Sequence, residues 1–346
     1  MKKTLLLLVL LLMFLFPLIG EKVGVLAEIM KPDKLAVLGD RLYCLEGASI
    51  YIYSLKDLSL IRKFGNIGEG PGELVVSPLL KNDLNVTQDH VIINSENKVV
   101  FFNYNGKYLR ETRVEGLKGL VLFKNRAIAI TNEPDLANPK SNRSDLALCL
   151  FDLAFRNKKI LIRQPLQIGK RGINLLADSL NFFVYDDKIF VEKSHQGFEI
   201  EVFDLNGKRL YSIRKEMKRI PVNDEYKQKV TQFIKLDPFI KMFGGWDAVK
   251  KRLYFSDYFP FIRDIVIYRD RIYLKTFGYK DSKDRFLITN LKGSTWETRY
   301  FFESVKPGLI DMMIGSSCRF YFFRDSKYYY LKENDSEEWE LHYELL

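Results

Sequence analysis

The sequence predicts an all-β fold, a six-bladed β-propeller built from four-stranded antiparallel blades. Three observations lead there. A strand-like run closed by a turn six positions on recurs at 34–40, 83–89, 119–125, 181–187, 264–270 and 311–317, and five of the six closing residues are Asp or Asn. A second turn signal follows several of these runs, as Asn103-Tyr-Asn-Gly106, Asp204-Leu-Asn-Gly207 and Asn290-Leu-Lys-Gly293. Asn-Gly between apolar runs is a strong hairpin signal, because both residues tolerate positive φ. Aromatic residues make up 14% of the chain, with 26 Phe and 19 Tyr, a composition that favours strands. Repeats of roughly 40–50 residues with four strands each read as propeller blades.

Met1-Lys2-Lys3 opens the chain and an apolar run from Leu5 to Ile19 follows, broken only by Pro17. A basic start and a run shorter than the roughly 20 residues of a spanning helix match a secretory leader. Residues 1–20 are therefore expected to be a signal peptide, with Ala27 as the alternative cut and an uncleaved anchor as the alternative fate. The protein is expected to be exported, to the periplasm or beyond the cell. The propeller is expected to fill residues 31–346.

The first two units flank Gly65-Asn-Ile-Gly68-Glu-Gly70-Pro71-Gly72-Glu73. The spacing matches neither a dinucleotide fingerprint nor a P-loop, and no amphipathic helix follows. It reads as the crossing between two sheets. Spacings of 49, 36, 62, 83 and 47 between the closing residues leave room for two insertions. The first, 132–145, reads as a polar loop. The second, 223–252, lies between blades 4 and 5 and reads as helical. Asn223 or Asp224 is its cap, and Tyr226, Val230, Phe233 and Ile234 form its apolar stripe. Phe155-Arg-Asn157 and Asn334-Asp-Ser336 stand where other units carry Asn-Gly. The C-terminal Glu337–Glu344 segment alternates and reads as the last outer strand.

With these features in place, the chain resembles exported bacterial six-bladed propellers, relatives of the NHL-repeat and TolB-like proteins. The resemblance rests on Gly68-Glu-Gly-Pro-Gly-Glu73, the Asp turns and the Asn-Gly tips. It implies a fold more firmly than an activity. Among relatives of this kind, gluconolactonase-like propellers use a metal in the central channel, and TolB-like ones serve envelope assembly.

Net charge is +10, from 54 basic and 44 acidic residues, with no run of five basic residues. Nucleic acid is therefore not an expected partner. Membrane contact is expected only through an uncleaved N-terminal segment. Cys44, Cys149 and Cys318 are far apart and sit in strand-like runs, which suits buried thiols rather than a disulfide framework. His90, His195 and His342 show no ligand spacing, and no Gly-x-Ser-x-Gly elbow is present. The candidate site is the mouth of the channel, where each innermost strand begins. The repeat brings Lys34, Asp83, Asn181, Asp264 and Asp311 there, with Asp33, Lys81 and Arg263 beside them. Such a set binds a ligand, or calcium through its carboxylates, or serves only to cap strand ends and pair with Arg and Lys. A second candidate is an aromatic cluster of Trp246, Tyr258 and Phe259, which suits either partner contact or a packed lid. The expected function is a binding or scaffold module for a protein or glycan, without catalysis and without a required cofactor. The alternative is a metal-dependent hydrolase or lyase working from the channel carboxylates.

Overall fold

The computed structural model describes residues 20–346 apart from 78–80, 135–143, 166–167, 170–171, 177–179, 194–196, 237, 282 and 303–318. Six four-stranded antiparallel sheets are present. Blade 1 comprises Lys34–Leu38, Arg41–Glu46, Ser49–Ser54 and Leu60–Phe64. Blade 2 comprises Asp83–Val86, Val91–Ser95, Lys98–Phe102 and Tyr108–Arg113. Blade 3 runs from Lys118–Phe123 through Arg126–Pro134 and Ser144–Asp152 to Lys159–Pro165. Blade 4 holds Asn181–Tyr185, Lys188–Lys193, Glu199–Asp204 and Arg209–Arg214. Blade 5 holds Asp264–Tyr268, Arg271–Lys280, Lys283–Asn290 and Trp296–Phe302.

The sixth sheet is assembled from both ends of the chain. Tyr321–Arg324, Lys327–Glu333 and Trp339–Leu345 supply three strands, and Glu21–Val25 pairs outside Trp339–Leu345 as the fourth. Two expectations are corrected here. The C-terminal segment is the third strand rather than the outer one, and the propeller begins at Glu21 rather than at residue 31. The innermost described strand of this sheet is Tyr321–Arg324, and the run at 311–317 lies outside the described residues. The period-2 pattern alone could not show this, because third and outer strands alternate alike.

Six apolar clusters occupy the interfaces between consecutive sheets. One joins blades 6 and 1 (Leu331, Leu341, Leu42, Tyr53), and the others follow in turn to the interface of blades 5 and 6 (Phe286, Phe301, Tyr321, Tyr328). The ring is closed by packing as well as by strand pairing. Middle strands therefore bury both faces: Val91–Ser95 and the adjacent Lys98–Phe102 are buried at every position. Strands buried on both faces lose alternation, which is why these runs read as nearly continuous apolar stretches.

The Asn-Gly tips recur as one structure. Asn103, Asp204 and Asn290 each accept two backbone N–H bonds on their Oδ1, and Gly106, Gly207 and Gly293 follow with positive φ. A Cβ on any of these glycines would collide with the outer strand of the preceding blade, at Phe64, Leu161 or Ile213. Asp152 and Asn334 form the same bonds, with Phe155 and Glu337 taking the positive φ. In blade 3 the Phe155 side chain packs against the neighbouring blade's core instead.

The expected polar loop at 132–145 is partly strand, since Asn132, Glu133 and Pro134 pair with Leu146, Asp145 and Ser144. The insertion between blades 4 and 5 is helical as expected. It holds helix α1 (Asp224–Leu236), helix α2 (Pro238–Met242), helix α3 (Trp246–Val249) and a 3-10 turn at Lys250–Arg252. Asn223 Oδ1 caps α1 by accepting the Tyr226 N–H at 2.9 Å. Val230 and Ile234 bury the apolar face, whereas Phe233 points outward, 47% exposed. A small sheet that the sequence did not signal joins Gly172–Asn174 in parallel to Leu253–Tyr254 and ties the insertion to the crossing before blade 4.

Candidate functional site

At the starts of the innermost strands, which the repeat assigns to the mouth of the channel, charged side chains gather and most of them are paired with one another. Lys34 of blade 1 donates to Asp83 of blade 2. Just outside them, Lys81 lies 3.2 Å from Asp33. Asn181 donates to Glu192 within blade 4 at 3.2 Å, and both are buried.

The densest group joins blades 4, 5 and 6. Arg319 holds Asp264 through Nε and a terminal nitrogen, at 2.8 and 2.9 Å, and its guanidinium sits 5.2 Å from the centre of the Phe183 ring. Tyr321 donates to the same carboxylate at 2.7 Å. A fork-to-fork pair of this kind is among the stronger hydrogen-bonded arrangements. Burial opposes the Arg319 charge, but Asp264, Tyr321 and Asp83 of blade 2 outweigh it and hold the group protonated. Asp83 and Asp264, from blades 2 and 5, thus act on one guanidinium. Beside them Lys275 lies 2.5 Å from Asp284, with Arg263 at 3.9 Å from that carboxylate. Burial, followed by the Arg263 charge, lowers the Lys275 ammonium to about 8. Lys118 begins the innermost strand of blade 3, and burial lowers its ammonium too.

The structure therefore brings Lys34 to Asp83 and Arg263 to Asp264's neighbourhood, and places Asn181 in a pair of its own. Asp311, Cys318 and His195 lie outside the described residues. Among the described residues, no group of three or more His, Cys, Asp or Glu is placed to hold a metal ion. Residue reading missed Arg319, Tyr321, Lys275 and Asp284. Lys275 had a signal, a lone charge inside the apolar strand Arg271–Lys280. Arg319 had none, because its partner lies 55 residues away.

The glycine-rich crossing is a pinned loop. Lys98, buried in blade 2, donates to the Glu69 and Gly70 carbonyls and to Glu111. Glu111 also accepts the Gly72 N–H, and Glu73 accepts the Gly70 N–H. A side chain at Gly68 would strike the Glu73 carboxylate. The loop's glycines serve this close approach.

Open recesses among the described residues lie against the outer strands. One, of about 510 Å³, is bordered by Lys63, Phe64, Asn66, Glu73 and Tyr108. The other, of about 640 Å³, is bordered by Phe198, Arg214, Lys215, Met217, Lys218 and Phe261. At the second, Lys215 sits 4.7 Å over Trp296 and Arg219 5.3 Å from Phe261. The aromatic cluster expected near the insertion is divided. Phe259 is buried between Tyr226, at 4.7 Å, and Phe277, at 5.0 Å, as a packed lid, while Tyr258 is exposed.

No family model matches the chain, and no curated protein matches it. Solved structures do. A member of the DUF4221 family from Bacteroides vulgatus aligns with a TM-score of 0.51 at 11% identity, over 93% of this chain and 95% of that one. U3-55K aligns with a TM-score of 0.48 at 7% identity, over 92% and 97%. The β-propeller domain of the trilobed protease from Pyrococcus furiosus gives 0.44 at 9% identity, over 90% and 81%. At such identity the likeness to the Bacteroides vulgatus structure speaks to the fold alone.

Proposed function

We propose that the protein is an exported binding or scaffold module that takes a protein or glycan partner on its rim and loop face. The observation that carries this reading is the way charge is used. At the mouth, Lys34 with Asp83 and Arg319 with Asp264 are engaged across blades, and Lys275 with Asp284 within blade 5. On the rim, by contrast, recesses combine aromatic rings with exposed polar and basic groups. Aromatic and arginine side chains are the usual anchors of a contact surface. Export rests on the basic start and apolar run of the first 20 residues. A cut after Gly20 leaves the closing strand Glu21–Val25 whole, whereas a cut after Ala27 removes it. The first cut is therefore the one this reading requires, and N-terminal sequencing of the secreted protein tests it.

The partner is tested by glycan-array screening and envelope pull-down with the parent, Tyr108→Ala and Phe261→Ala. Loss of the captured partner in either variant supports the rim contact. Capture that survives both changes, or turnover of a captured sugar that stops with chelator, overturns it in favour of a metal-dependent enzyme. Metal content and unfolding with and without chelator complete the comparison, since a bound ion stabilises the folded state by mass action.

A further inference from the structure

The helical insertion exposes several large apolar side chains. Val230, Ile234 and Ile240 cover Leu175, with half-buried Tyr226, Trp246, Val249 and Phe255 around them. Outside that contact, Phe233 is 47% exposed, Leu236 78%, Met242 70% and Phe243 54%. All four fall within 11 positions, and Lys229, Phe233 and Leu236 follow at i, i+4 and i+7 on one stripe of α1. Residues 223–252 carry seven basic and four acidic side chains, an excess of three positive charges. Lys229 pairs with Glu225 at 2.7 Å and Lys235 lies over the Trp246 ring, while Lys241 is exposed at the end of α2.

From this juxtaposition we infer that the insertion seats the propeller on an anionic membrane surface, with Phe233, Leu236, Met242 and Phe243 entering the interface and the lysines meeting lipid headgroups. This surface is separate from the rim recesses and from the N-terminal segment. Apolar residues flanked by lysines are the pattern of an element lying in the interface plane. Anionic leaflets attract such lysines, within a Debye length. The contact is peripheral, since no helix among the described residues is long and apolar enough to cross a membrane. A second copy fits less well, because an isologous pairing would set the excess positive charge of each insertion against the other.

The test is co-sedimentation of the full chain with phosphatidylcholine vesicles, with and without phosphatidylglycerol, over a salt series. Trp246 emission is the second readout, with a Trp246→Phe variant as its control. Binding to the anionic vesicles should exceed that to neutral ones by about tenfold or more and weaken with salt. Trp246 emission should shift to the blue on binding. Phe233→Ser with Leu236→Ser and Phe243→Ser should abolish binding while unfolding at the parent temperature. Changing Lys229, Lys235 and Lys241 to Gln should weaken it and flatten the salt dependence. Equal binding by the serine variant, salt-independent binding to neutral vesicles, or a parent dimer that the serine variant dissociates would each overturn the inference. Rim binding is read separately, with Tyr108→Ala and Phe261→Ala, so either reading can fail alone.

Discussion

The mouth of the channel and the helical insertion use their residues in opposite ways. At the mouth, charged side chains are paired with partners on the same or a neighbouring blade, and Asp264 alone serves Arg319, Tyr321 and its own strand's Ile265 N–H. On the insertion, apolar side chains as large as Phe233 and Met242 stand in water. Buried charge is costly unless paired, so pairing at the mouth needs no ligand to explain it. Exposed apolar area gathered in one place does call for an explanation. Charged residues at a cavity mouth are thus poor witnesses to function in this fold, and unused apolar surface is the better one.

The comparison breaks first at Asp264. Removing it leaves the half-buried Arg319 without its carboxylate and the buried Tyr321 without its acceptor. Asp264→Ala should destabilise the propeller by about 3–5 kcal/mol, the usual cost of breaking a buried pair. Chemical denaturation measures it, and a loss below about 1 kcal/mol would mean the group is held open for a ligand. Lys34→Ala is the milder counterpart. Its pair with Asp83 is partly exposed, with side chains 20% and 15% accessible, so a loss of about 1 kcal/mol is expected.

The mouth should also show in the pH dependence of stability. Lys275 is lowered to about 8 in the folded chain, by burial and then by Arg263. Unfolded, a lysine titrates near 10.4. Between those values the unfolded chain binds the extra proton, so Lys275 contributes a stability that rises with pH across roughly 8 to 10.4. The difference in unfolding free energy between parent and Lys275→Met should therefore grow through that window. A flat difference would show that Lys275 keeps its proton. Glu340 makes the contrast at the closing strand. The Lys22 ammonium, then Asn334 and His342, hold its carboxyl at about 2 despite partial burial. Its contribution is present above the ordinary carboxylate range and lost as pH falls toward 2, so Glu340→Gln should reduce the acid sensitivity of the ring.

Much of this was legible in the chain. The Asp turns and Asn-Gly tips fixed five blades and the place of the insertion, because turn geometry is a local matter of positive φ and Asx bonding. The closing blade was not legible, since pairing Glu21–Val25 with Trp339–Leu345 spans the whole chain and leaves no local trace. At the mouth the first residues of innermost strands were found, but the partners that neutralise them were missed. Arg319 reaches Asp264 through the tertiary fold, whereas Asp284 faces Lys275 across one hairpin of blade 5. On the insertion, the spacing of Phe233 from Val230 and Tyr226 suits one stripe and predicts packing. The structure shows that stripe divided, with Val230 and Ile234 turned inward and Phe233 at its edge.

That edge yields the smallest expected effect on stability and the sharpest form of the comparison. Replacing Phe233, Leu236 and Phe243 together by Ser removes three large apolar groups, and in a core such a change would cost several kcal/mol. Here the side chains already face water, so the burial lost is slight. Serine is a poorer helix former than leucine, but the deficit at two positions of α1 is a few tenths of a kcal/mol each. The unfolding free energy should therefore stay within about 1 kcal/mol of the parent, measured by denaturant titration, and the variant should be the more soluble of the two. A loss of several kcal/mol would mean that these residues pack against the fold, and the distinction between a mouth that holds the ring together and an insertion free to make contacts would fall with it.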